Sequence, residues 1–182
     1  IESKSNTLYA VCKNRAEMEV WRGKEEGLKT IIVNPSIIIA PKSEHLYNLK
    51  NIIKANYTFQ FEGENGFIHL EDVAKICIQL MQSEVNNEQF ILSAENLTYK
   101  TVFKLFASSE KKNKAFSRMT ILKANIISKI NQARNILFGS RPFLSKEILS
   151  LNKKSFRFNN EKIIATLDYT FSFISDKNQK TS

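Results

Sequence analysis

The sequence predicts an α/β fold, and two stretches within its first forty residues carry that prediction. One is a helical run with apolar positions Leu8, Val11, Cys12, Ala16, Val20 and Trp21, stopped by Gly27. The other is the β-branched run Ile31-Ile32-Val33, which lacks polar alternation and so fits a central strand buried on both faces of a parallel sheet. A helix feeding such a strand is half of a doubly wound unit. Pro35 cannot donate to a sheet ladder, so it belongs at the strand's C-terminal end, where open α/β sheets bind ligands.

The elements then follow in order. Asn6 or Thr7 caps the first helix, which runs to about Glu26, and the apolar run Thr30 to Ala40 comes next. Ser43, with Glu44 in the first turn, opens a short helix over 43–54. Tyr57 to Phe61 alternates as a strand and ends in a Gly63-Glu64-Asn65-Gly66 turn. A helix starting near Glu71 and Asp72 puts Val73, Ala74, Ile76, Cys77, Leu80 and Met81 on its buried side. The two acids suit its first turn electrostatically and need no catalytic role, and His69 just before it reads as a structural hydrogen-bonder. A strand at Phe90 to Ser93 precedes a helix capped by Thr98 that runs to about Ser108. A long amphipathic helix from Arg118 to Leu137, a short helix from Ser145, a small strand at 155–158 and final helices from Asn159 or Asn160 complete the reading. The expected division is 1–42, 43–176 and a disordered tail at 177–182.

Composition narrows the function classes. The chain has 182 residues, 42% of them hydrophobic, enough to bury a core. Its net charge of +9 invites a polyanion partner, but the lysines are spread over every expected element; the densest cluster, Lys111, Lys112 and Lys114 with Arg118, reads as a solvated loop. Nucleic-acid binding is therefore not the expected function. Cys12 and Cys77 offer neither metal-ligand spacing nor a disulfide framework and read as reduced thiols. The longest apolar run is broken at Asn34-Pro35-Ser36, short of the ~20 residues that span a bilayer. With a polar opening that is no signal peptide, a cytoplasmic protein without a membrane segment is expected.

Chemistry is concentrated at Tyr9 and Lys13. Four residues apart on a helix, they share one face. A free tyrosine, with a pKa of ~10, is a poor acid near neutrality, and an adjacent fixed cation favours its phenolate. That combination makes a general acid or base.

Together with Asn14-Arg15-Ala16-Glu17, Val20-Trp21, Glu25-Glu26-Gly27-Leu28, Ile31-Ile32-Val33-Asn34-Pro35-Ser36-Ile37-Ile38-Ile39-Ala40-Pro41 and Gly66-Phe67-Ile68-His69-Leu70-Glu71-Asp72-Val73-Ala74, the pair gives the chain a marked resemblance. It resembles the extended short-chain dehydrogenase/reductases, in particular the NAD-dependent epimerase/dehydratase family and its dihydroflavonol-reductase-like branch, over roughly residues 1 to 170. The resemblance implies the C-terminal part of a Rossmann-type NAD(P)-binding domain followed by a small α/β substrate-binding lobe, with 66–93 returning to the core. It implies that Tyr9 exchanges a proton with a substrate carbonyl or secondary alcohol. Lys13 lowers the pKa of Tyr9 and bonds the nicotinamide ribose. Pro35, Ser36, Ile37 and Ile38 inherit a cofactor contact, unless that stretch is an irregular apolar crossing without a ligand. NAD or NADP is the implied cofactor, no metal is implied, and a homodimer is allowed for a full-length protein.

The dinucleotide fingerprint of such proteins needs a glycine-rich turn upstream of the tyrosine, and the five glycines, at 23, 27, 63, 66 and 139, cannot form it. The first residue is isoleucine. The expectation is therefore a fragment, inactive and associating when isolated, because a strand as apolar as Ile31-Ile32-Val33 would expose an edge. The alternative is a truncated, non-catalytic binding or scaffold module.

Overall fold

Residues 8–40, 57–59, 63–109, 117–119 and 155–174 are described by the structure, a computed structural model. The first helix, α1 (Leu8–Glu25), ends as its sequence dictates. Gly27 takes a left-handed φ of +96°, which a side chain resists, and this turns the chain so that Leu28 N–H donates to the Gly23 carbonyl and Gly27 N–H to that of Lys24, each at 3.0 Å. The turn delivers the chain into β1 (Ile31–Pro35).

β1 pairs in parallel with β5 (Glu88–Leu92), from Ile31 opposite Glu88 to Pro35 opposite Leu92. Asn87 ties the start of both strands: its N–H donates to the Thr30 carbonyl at 2.6 Å and its Oδ1 accepts from Thr30 N–H at 3.3 Å. At Ser36 the chain changes sheets. Its N–H still donates to the Leu92 carbonyl at 2.8 Å, but the next residues form β2 (Ile37–Ile39), parallel to β4 (Glu64–His69), which is in turn antiparallel to β6 (Glu95–Thr98). A separate parallel pair joins β3 (Tyr57–Phe59) to β7 (Ser117–Met119).

The core lies between these strands and two helices, α2 (Leu70–Gln82) and α4 (Glu161–Leu167). Ile68, Ile76, Leu80, Phe90, Leu92 and Ile163 are buried together, with Ile31, Val33 and Ile38 packed against them. Each such side chain contributes about 1.5–3 kcal/mol on burial. Side-chain alternation puts Gln89 on the opposite face of β5 from Phe90, and there Gln89 Nε2 donates to Glu17 Oε1 of α1 at 2.8 Å. Helices therefore stand on both faces of the β1–β5 pair, as a doubly wound unit requires. Helix α3 (Tyr99–Ser109) opens at the expected cap, with Thr98 Oγ1 accepting from Thr101 N–H at 3.1 Å.

The structure corrects several expectations. β1 is half-buried rather than buried on both faces, and Ile91 on the neighbouring strand is 41% exposed, because α1 covers that face only in part. Gly66 is not in a turn; pairing of Gly66 with Asn96 and of Asn65 with Leu97 holds it inside β4, so the partner strand overrides the local turn signal. On α2 the core face is Asp72, Ile76 and Leu80; Met81 stands about 100° beyond Leu80 and is 84% exposed, and Ala74 is exposed too. Residues 155–158 form no strand; Asn96 replaces the ladder, its Nδ2 donating to the Phe158 carbonyl and its Oδ1 accepting from Phe158 N–H, both at 2.9 Å. Arg118 falls in β7 rather than at the start of a helix. The rest of that helix, the helices expected at 43–54 and from Ser145, and the tail lie outside the described residues. No helix among the described residues is long and apolar enough to cross a membrane.

Candidate active site

Tyr9 and Lys13 fall in the first two turns of α1, one helical turn apart on the same side, and Lys13 is exposed. Neither side of α1 contributes a fully buried side chain among residues 10–25, and half-buried Glu17 ties the helix to the sheet through its hydrogen bond from Gln89. Lys24 Nζ lies 5.2 Å from the centre of the Trp21 ring, one turn back on the same helix.

The second group of candidates sits where β1 becomes β2. Pro35 is exposed at the carboxyl end of β1, consistent with its inability to donate within a ladder. Ser36 is the joint between the two sheets, and Ile37 and Ile38 are half-buried, opposite Phe67 and Ile68 of β4. The stretch is thus a regular strand that changes partners. The neighbouring strand does the same at the same level: after Leu92 comes Ser93, then Ala94, whose N–H donates to the Phe67 carbonyl at 2.9 Å. The two parallel strands thus diverge together at their carboxyl ends, and β4 enters between their continuations.

Small residues fill this junction. Ser36 and Ser93 each bury a hydroxyl that has no hydrogen-bond partner. Gly66 of β4 lies against both. Sequence reading missed Gly66 and Ser93; the available signal was a glycine directly followed by the apolar run Phe67-Ile68, which in a strand marks a close approach of another backbone.

Behind the junction, acidic and polar side chains fasten the segment after α4. Asp72, 1% exposed, accepts from Tyr169 Oη at 3.0 Å, Ser172 N–H at 3.0 Å and Ser172 Oγ at 3.1 Å. Glu95 Oε2 accepts from Ile174 N–H at 2.8 Å, and His69 Nε2 lies 3.3 Å from the Phe173 carbonyl. His69 is therefore the structural hydrogen-bonder that the sequence suggests. Partial burial, reinforced by the hydrogen bond to Asp72 and its charge, pushes the Tyr169 phenol up to about 12. Burial likewise raises Tyr99, against the opposing hydrogen bond from Asn65.

Comparison with known proteins agrees with this architecture. No protein-family model matches the chain. Over 96 residues, 47% of this chain and 28% of the relative, it is 30% identical to tetraketide alpha-pyrone reductase 1 of Arabidopsis thaliana. The crystal structure of a nucleoside-diphosphate-sugar epimerase from Pseudomonas aeruginosa superposes with a TM-score of 0.67 and 12% identity, covering 97% of this chain and 54% of that one. That of a dTDP-glucose 4,6-dehydratase from Bacillus anthracis in complex with NAD gives 0.65 and 13%, covering 100% and 53%. The chain thus spans about half the length of these structures, and under a third of the reductase is aligned. In fold the chain therefore matches about half of these epimerase and dehydratase structures, an α/β arrangement built on parallel strand pairs.

Proposed function

We propose that this chain supplies the proton-transfer pair and the nicotinamide-side backbone of an NAD(P)-dependent oxidoreductase or epimerase acting on a carbonyl or secondary alcohol. The observation that carries the reading is the placement of Tyr9 and Lys13 one turn apart on the helix that feeds, through the Gly27 cap, a parallel strand ending at exposed Pro35. The residues present suit the nicotinamide end of such a cofactor: a cation on the helix, and a strand terminus beside a junction of small residues. The chain's own glycines do not suit the pyrophosphate end. When bound, the nicotinamide accepts or donates a hydride.

The chain's residues do the rest. Tyr9 exchanges a proton with the substrate oxygen, and Lys13 favours the phenolate and offers a donor to the ribose. Pro35, Ser36, Ile37 and Ile38 set the wall against which the nicotinamide rests. The sequence relationship to a plant reductase favours a ketone or aldehyde as substrate.

The test is cofactor binding, by calorimetry or NADH fluorescence, to this chain and to the chain extended upstream with its own coding sequence. Binding by the extended form alone is expected, and binding by neither form would sink the reading in favour of a scaffold. In the extended form, Tyr9→Phe is expected to lower kcat about 10²–10⁴-fold while cofactor affinity stays within a few-fold.

A further inference from the structure

We propose that Gly66 is a positioning residue for the Pro35–Ile38 segment: its lack of a side chain lets Ser36 seat against β4 and so fixes where the cofactor wall stands. The inference rests on the functional reading above and adds to it a residue on a different strand.

Gly66 is buried inside the middle strand of the β2–β4–β6 sheet, a poor place for glycine, which loses more backbone freedom on folding than any other residue. Its backbone does not call for glycine: among the described glycines only Gly27 has a positive φ. Space does. A Cβ at Gly66 would collide with Ser93 Oγ, would lie 2.6 Å from Phe158 Cδ2, and would stand 2.9 Å from Ser36 Cβ.

These three neighbours differ in how they can yield. Ser93 Oγ can rotate away, since no hydrogen bond holds it. The Phe158 backbone is pinned in both directions by the Asn96 amide, which leaves its ring to turn. Ser36 Cβ is attached directly to the segment in question, and the Ser36 N–H is bonded to Leu92, so it can retreat only by moving the joint between β1 and β2. Any side chain at position 66 therefore transmits a push to Pro35 and Ser36. The two unpartnered hydroxyls at the same spot fit a junction shaped for close approach rather than for hydrogen bonding.

The experiment separates position from stability. In the extended protein, G66A and the double variant G66A/S93A are compared with wild type by thermal melting, by the amide resonances of Ser36 and Ile37, and by the Kd for NADH. Removal of the nearest colliding atom in the double variant is expected to restore part of the Tm lost in G66A, the contacts with Phe158 and Ser36 remaining. The displaced Ser36 and Ile37 resonances, and a Kd weakened about tenfold or more, are expected to persist. Recovery of wild-type Kd and resonances together with Tm in the double variant would show that Gly66 serves packing alone and would overturn the proposal. So would unchanged Ser36 and Ile37 resonances in G66A. If G66A does not fold, the double variant carries the same comparison. If wild type itself binds no NADH, the functional reading fails, and the resonances still decide whether Gly66 positions the joint.

Discussion

β1 and β4 each have a parallel neighbour, yet five of the six residues of β4 are buried and none of the five in β1 is. β4 lies between β2 and β6, carries α2 directly after its last residue, and is flanked by the 155–160 segment through the bond from Phe156 N–H to the Glu64 carbonyl at 2.9 Å. β1 has β5 beside it and α1, which buries no described side chain completely, over one face. In this chain the region with the proposed proton-transfer pair is thus the lightly packed one, and the region behind it is the anchor; the chain spans about half the length of the structures it resembles, so the contrast describes this chain alone.

The contrast can be broken most strongly from the anchored side. Phe90→Ala, at a position 1% exposed, is expected to cost about 3–5 kcal/mol in chemical denaturation, whereas Met18→Ala on α1, at a position 62% exposed, should fall within about 0.5 kcal/mol of wild type. Equal costs would mean that α1 is packed as tightly as the core.

Next in size is Asp72→Ala. It strips the acceptor from Tyr169 Oη and from the Ser172 N–H and Oγ, and a loss of about 3 kcal/mol is expected, with faster hydrogen exchange concentrated in 169–174. Loss spread evenly over the protein would contradict the picture of a local fastening.

The smallest effect is alkaline. The Tyr169 phenol, at about 12 when folded, lies above its unfolded value near 10, so the stability it contributes is fully present below about pH 10 and disappears as the pH rises through 12. An absorbance titration should show tyrosine ionisation continuing up to about pH 12, and Tyr169→Phe should remove one tyrosine's amplitude from that late phase. A titration identical in the variant would refute the assignment.

Local physics was readable in the sequence wherever neighbours in the chain settle the outcome. The helix carrying Tyr9 and Lys13, its stop at Gly27, the strand ending at Pro35 and the Thr98 cap each depend on residues within a few positions. The tertiary structure decided what distant partners control. Gly66 reads as a turn residue until β6 pairs with it. Asp72 reads as a surface helix-dipole acid until Tyr169 and Ser172, about a hundred positions later, bring it their donors. Residues 155–158 read as a strand until the Asn96 amide, 62 positions away from Phe158, takes the place of the ladder. Chain order fixes propensity and spacing, whereas burial and hydrogen-bond partnership are set by which elements arrive from elsewhere; so the helical spacing of Tyr9 and Lys13 was legible in advance, and the junction of Ser36, Gly66 and Ser93 became visible only once the strands were assembled.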